Sequence, residues 1–304
     1  MMHSAQMEYD HSAFLSAVAP MLSEADMSIA GAEFTLAGPP YTGYPAFSAP
    51  DSYLESIMAA GIDVLMTANN HVLDKGSKGL RRTLGRYDVF TGSGLDEEQF
   101  ARNNPLILNV KGIRIALVNF TYGTNVGPDS EYPKVNRMNK ETISAQMARA
   151  RDFADFVIVL PHWGDEYSLR HNRSQEEWAV SLVEMGADAI VGAHPHVVQD
   201  TTHINGVPVV YSIGNAVSNM SAPNTRLELA VKLTLVNAPL TGERKLLDPE
   251  LVFLWCNLPG TRTDNYTTIV VDEWIGKRDE WKNPSDYDNM IRTLERVKKT
   301  TGIE

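Results

Sequence analysis

Apolar residues recur along this chain in two rhythms. The runs Ile62-Asp-Val-Leu-Met66, Phe156-Val-Ile-Val-Leu160 and Ala187-Asp-Ala-Ile-Val-Gly192 have the length and density of short buried strands. Asn109-Val-Lys-Gly-Ile-Arg-Ile-Ala-Leu-Val-Asn-Phe120 predicts a hairpin that turns at Lys111-Gly112 and enters a core strand. Between these runs lie segments of helical spacing. An amphipathic stretch around 10–25 leads into Met27-Ser-Ile-Ala30, and a helix starting at Pro50-Asp51-Ser52, with Asp51 or Ser52 as N-cap, ends at Gly61. Two more are expected over 139–153 and 174–186. Helices alternating with short apolar strands predict a layered α/β architecture.

After the turn signal Ile204-Asn-Gly-Val-Pro208 the pattern becomes mostly β. Strands are expected at Val209–Ser212, Leu227–Leu235, Leu251–Trp255 and near Thr268–Val271, before a polar helix over 286–299. The expected organisation is one domain over 1–304, with an α/β part to about 203, a β-rich part from 204 to 275 and the closing helix. The β-rich part is expected to form the second half of one sandwich.

Composition narrows the class. The 304 residues are 43% hydrophobic and 21% charged, ordinary for a globular chain with a sizeable core. A net charge of -11 with no basic block makes nucleic acid and anionic membrane surfaces poor partners. An anionic substrate would therefore need a local positive centre. Cys256 is the only cysteine, which excludes an intrachain disulfide and a cysteine-based metal site. No stretch approaches the roughly 20 apolar residues of a membrane span.

Three strands end in polar clusters: Asn69-Asn70-His71, His162-Trp163-Gly164-Asp165-Glu166 and His194-Pro195-His196. The carboxyl ends of strands line the ligand crevice of open α/β sheets, so these clusters should converge. Imidazole, amide and carboxylate donors without thiols suit Mn²⁺, Fe²⁺ or Zn²⁺, and two such ions sharing a carboxylate can activate a water. Asn69-Asn70-His71 reads equally as a simple turn. Glu166 reads either as a partner that orients His162 or as a solvated loop carboxylate, while Trp163 and Tyr167 read as packing residues. His11, His171 and His203 lack such context and read as surface residues.

Thr67-Ala-Asn-Asn-His-Val-Leu-Asp-Lys-Gly76, His162-Trp-Gly-Asp-Glu-Tyr167, Gly192-Ala-His-Pro-His-Val-Val-Gln199 and Tyr211-Ser-Ile-Gly-Asn215 resemble the signature blocks of CapA-type poly-gamma-glutamate capsule biosynthesis proteins, within the calcineurin-like metallophosphatase superfamily. The resemblance implies a four-layer α-β-β-α sandwich and a site holding two divalent metal ions. It implies Asn70, His162, His194 and His196 as metal ligands, with His194 and His196 on different ions, and Glu33 as the bridging carboxylate. Gly31-Ala32 stands where the family usually shows Asn-Leu. It further implies that His71 protonates a leaving group or steadies the transition state, and that Asp74 holds that imidazole's tautomer.

The family opens with a strand ending in Gly-Asp, whose Asp ligates the first metal, followed by residues resembling Met1-Met2-His3. The chain begins just after that strand, so a sandwich without its first strand is expected unless further residues precede Met1. An envelope location follows in the second case and a cytoplasmic one in the first. The implied function is a metal-dependent hydrolase of a phosphoester or amide in capsule or poly-gamma-glutamate biosynthesis, acting on an anionic polymer or a small substrate alongside other capsule-synthesis components. The rival is a non-catalytic assembly or export component that uses the same cleft for binding.

Overall fold

The computed structural model of the chain describes residues 4–127, 131–238 and 243–304; Met1, Met2 and His3 lie outside the described residues. Its helices are α1 (Ala19–Glu24), α2 (Asp51–Ala59), α3 (Gly76–Leu84), α4 (Glu97–Asn103), α5 (Lys140–Phe153), α6 (Arg173–Glu184) and α7 (Pro284–Thr301). Strands β1 (Ile29–Gly31), β2 (Val64–Met66) and β3 (Phe90–Thr91) form a parallel sheet, and β4 (Ser93–Gly94) pairs with β7 (Lys134–Val135). The largest sheet takes β5 (Leu106–Val110), β6 (Ile113–Thr121), β8 (Phe156–His162), β9 (Ala189–Val191), β10 (Thr201–Ile204) and β11 (Val207–Val210), in the order β10-β11-β9-β8-β6-β5. Its four inner strands run parallel, and β5 and β10 close the edges antiparallel.

Alternation along the central strands sets the layers. Val157 and Val159 of β8 face one way, into a core shared with Ile143, Met147 and Ala150 of α5 and Ala179 and Leu182 of α6. Ile158 and Leu160 face the other way, against Val64 and Met66 of β2. Leu65, between those two, turns outward onto Tyr53 and Ile57 of α2 and Leu80 and Leu84 of α3. Each such fully buried aliphatic side chain contributes about 1.5–3 kcal/mol relative to exposure. The result is the four-layer α-β-β-α sandwich, with both sheets buried on both faces as parallel strands require.

The antiparallel sheet of β12 (Leu227–Lys232), β15 (Glu250–Asn257) and β16 (Thr267–Val270) completes the molecule. Its Leu227, Leu229, Phe253 and Ile269 share a core with Met290, Leu294 and Val297 of α7 and with Val198 and Val210 from the α/β part. Among the described residues β1 pairs with β2 alone, so its other edge carries no strand.

Several local expectations shift. The segment at 10–25 is not one helix: a 3-10 turn at His11–Ala13 precedes the short α1, and Pro20 stands in the first turn of that helix. Neither Asp51 nor Ser52 caps α2; Pro50 holds the N-cap position, and Arg82 and Arg86 take the Asp51 carboxylate. Leu227–Leu235 is not a single strand, because pairing Lys232 with Glu250 exhausts β15. The chain beyond it becomes β13 (Leu235–Ala238), which pairs with β14 (Glu243–Leu246). His11 is not on the surface: it is buried between Phe14 and Tyr53, with ring centroids 5.4 and 5.7 Å away. His171 is half-buried, stacked 3.9 Å from Tyr211 and bonded to Asp200, whereas His203 is exposed.

Candidate metal centre

The carboxyl ends of β2, β8 and β9 meet at one rim of the sandwich. After β2, Asn69 shapes the turn with both ends of its amide: Nδ2 donates to the Ala32 carbonyl at 2.9 Å and Oδ1 accepts from the His71 N–H at 3.0 Å. That leaves the buried Asn70 and His71 side chains aimed at the rim. Asn70 Oδ1 stands 2.9 Å from Nε2 of His162, the last residue of β8.

The loop after β9 is zipped to the end of β8, with Ala193 N–H donating to the Pro161 carbonyl and Trp163 N–H to the Ala193 carbonyl. Gly192 is needed there, since a Cβ would lie 2.2 Å from the Tyr211 oxygen and 2.4 Å from Trp163 Nε1, atoms already bonded to each other. Trp163 thus packs, as its sequence context implies. His194 and His196 both adopt left-handed backbone, φ 105 and φ 60, which L side chains seldom do. This strain turns both imidazoles inward from either side of Pro195, bringing the His162 and His194 rings to 4.8 Å and the His194 and His196 rings to 5.8 Å. Strained, non-glycine backbone of this kind gathers at functional sites.

Glu33 lies between them. Its Oε1 stands 3.8 Å from His162 Nε2 and 3.9 Å from His196 Nε2, is buried, and has no hydrogen-bond partner. Two ligand atoms on one ion, each at about 2.1 Å, stand no more than about 4.2 Å apart. Both separations fall inside that limit. His194 Nδ1 is a second buried atom without a hydrogen-bond partner. Burial, reinforced by the neighbouring imidazoles, holds His162 far below the ordinary histidine range and pushes His194 down to about 3. Both rings are therefore neutral near pH 7 and offer lone pairs rather than charge. Orphaned buried oxygen and nitrogen atoms, neutral imidazoles and an absence of thiols together fit a divalent metal.

Further partners orient these donors. His196 Nδ1 lies 3.1 Å from Asn215 Oδ1, so the ring proton sits on that side and Nε2 is left to face Glu33. His71 Nδ1 lies 2.8 Å from Asp74 Oδ2, a carboxylate oxygen that also accepts from the Phe47 N–H. Asn125 joins the two halves: its N–H donates to the Asn70 carbonyl, and its side chain reaches Asn70 at 3.4 Å and His71 Nδ1 at 3.3 Å. Tyr122, half-exposed, covers His194 at 4.7 Å. Tyr167 is 44% exposed with its ring 6.2 Å from His196, so the packing role read for it does not hold.

Glu33, Asn70, His71, Asp74, His162, His194 and His196 are thus brought together in one cleft. Sequence reasoning missed Asn125 and Tyr122, which lie in a loop with no motif around them, and assigned no role to Asn215. The Asn at the end of Tyr211-Ser-Ile-Gly-Asn215 was the one signal present in the sequence.

Fold and site together define the class: a four-layer α-β-β-α sandwich with nitrogen and oxygen donors converging at its strand ends. Within that class, the chain belongs to the family of bacterial capsule synthesis proteins PGA_cap, which matches residues 1–220. It is 34% identical over 190 residues to the capsule biosynthesis protein CapA of Bacillus anthracis, covering 59% of this chain and 46% of that protein. It is also 34% identical over 170 residues to the PGA biosynthesis protein CapA of Bacillus subtilis (strain 168), covering 54% of this chain and 44% of that one. The chain therefore spans about half the length of the curated relatives it matches. Among solved structures, a putative 5'-nucleotidase from Staphylococcus aureus in complex with alpha-ketoglutarate superposes with a TM-score of 0.47 at 14% identity, over 66% of this chain and 39% of that one. A 5'-nucleotidase precursor from Thermus thermophilus gives 0.43 at 14% identity, over 96% of this chain and 53% of that one. Neither superposition is close enough to bear on activity.

Proposed function

We propose that the chain is a metal-dependent hydrolase of a phosphoester or amide bond in capsule or poly-gamma-glutamate biosynthesis, with a site built for two divalent ions. The observation that carries the reading is the orphaned Glu33 Oε1, set almost equally far from the Nε2 atoms of His162 and His196. Such a position suits a carboxylate shared between two ions. Asn70, His162 and His194 would complete one side and His196 the other.

Bound there, the ions would supply Lewis acidity and lower the pKa of a water. The remaining work falls to side chains. Asp74 would accept a hydrogen bond from His71 Nδ1–H and so steady the imidazolium, whose Nε2–H would protonate a departing oxygen or nitrogen. Asn125 packs between that ring and Asn70. Asp74 and His71 are both buried, which excludes water from the pair and strengthens it.

The test joins metal content to turnover. The purified chain should retain Mn²⁺ or Zn²⁺ after dialysis and hydrolyse a generic phosphodiester. His71→Ala should lower turnover by about 10²–10⁴-fold while retaining metal, and Asp74→Asn should lower it in the same direction, most on substrates with poor leaving groups. A chain that takes up no metal would sink the hydrolase reading and favour a binding component in capsule assembly.

A further inference from the structure

The loop between β8 and α6 places a second carboxylate beside His196. Glu166 Oε1 stands 3.9 Å from His196 Nε2, the same separation as between Glu33 and that ring. Glu166, His194 and His196 can each offer a ligand atom such that all three lie within 4.8 Å of one another, as can Glu33, His162 and His194. Two overlapping donor groups share His194. On the His196 side, Glu33 and Glu166 are the two carboxylates within 4 Å of the ring among the described residues.

The backbone holds Glu166 in that place. Gly164 turns the chain back at φ 94, and a Cβ there would run into the Gln175 side chain at 2.6 Å. Tyr167 is left-handed at φ 65, and its N–H donates to the Pro195 carbonyl at 2.9 Å. The residue after Glu166 is thus tied directly to the His194-Pro195-His196 turn. Asp165, beside it, forms no ion pair with His196 and accepts from the Asn172 side-chain amide at 2.9 Å. A free surface carboxylate needs no such anchoring, and Glu166 accepts no hydrogen bond from His162, the ring it would orient as an outer partner.

We propose that Glu166 is a direct metal ligand on the His196 side of the centre, so that the two carboxylates Glu33 and Glu166 bracket His196. The assignment rests on the metal-centre reading above. It gives the His196 side an ion held by two carboxylates and an imidazole, and the His162 side an ion held by amide and imidazole donors with Glu33.

The experiment is titration of the metal-stripped full chain with Mn²⁺ followed by calorimetry, with bound metal counted after dialysis, for the parent, Glu166→Gln, Glu166→Asp and Asp165→Asn. Glu166→Gln should weaken one of the two bound Mn²⁺ by at least about a hundredfold, beyond the roughly 10- to 100-fold that loss of an outer partner costs. Glu166→Asp should recover part of that loss, and Asp165→Asn should match the parent. Urea melts of the stripped proteins should coincide, which separates lost ligation from lost folding. A Glu166→Gln chain that binds Mn²⁺ as tightly as the parent overturns the assignment and leaves the hydrolase reading standing. A parent chain that binds no Mn²⁺ overturns both.

Discussion

The site depends on buried polar atoms that would be costly in any chain without a use for them. Leaving a buried acceptor unsatisfied costs about 1–3 kcal/mol, and Glu33 Oε1 and His194 Nδ1 are both left so. Glu228 is a comparable case away from the proposed ligands. Its side chain is buried with Oε2 unpartnered, and burial raises its carboxyl from 4.5 to about 8. The folded chain therefore keeps a proton that the unfolded chain releases between those values, so Glu228 leaves stability untouched below pH 4.5 and subtracts from it increasingly as pH rises toward 8. Glu228→Gln should accordingly melt with the parent at low pH and above it at pH 8 or higher. A melting-temperature difference independent of pH would contradict this account.

At the scale of elements, the rim is made by loops stitched to one another rather than by the strands alone. The hairpin at Lys111-Gly112, the helices read over 139–153 and 174–186, which lie within two residues of α5 and α6, and the turn at Asn205-Gly206 were legible, because helical periodicity and turn chemistry act within a few residues. The stitching was not, since it joins residues far apart: Trp163 Nε1 bonds the Tyr211 carbonyl across 48 positions, and Gly192 is small because that bond passes over it. Gly192→Ala should cost about 1–3 kcal/mol, the usual penalty for overpacking. It should also displace His194, so metal affinity in the folded variant should fall along with the urea midpoint. A variant with parental stability and metal affinity would show that the loop is more forgiving than its geometry indicates.

Across the whole molecule, the region beyond residue 220 is joined to the site by packing. Val198, two residues past His196, lies in the core that also holds Leu227, Phe253 and Met290, and the Gly214–Glu228 bridge ties the Asn215 turn to β12. The matched family region ends at 220, before Leu227, Phe253, Met290 and β12. Residues 1–220 expressed alone should therefore show no cooperative melt and bind no metal, whereas the full chain should melt cooperatively and take up metal. A sharp two-state transition of the shorter chain would mean that the α/β part folds by itself. The charge of -11 works against a polyanionic substrate everywhere except at a local positive centre, which two divalent ions at the rim would provide.

What the sequence determined by itself was local or periodic: the buried strands, the helices that cover them, the clusters of Asn, His and Glu at strand ends, and the four blocks of residues that carry the family resemblance. Those depend on neighbours within a turn or two, or on motifs read directly. Tertiary structure alone decided that His194 and His196 turn left-handed to face one cleft, that Asn125 bridges Asn70 and His71, and that Glu166 rather than Asp165 stands beside His196. The reason is distance: these arrangements arise from contacts between segments dozens of residues apart, whose relative placement follows only once both sheets have buried their faces.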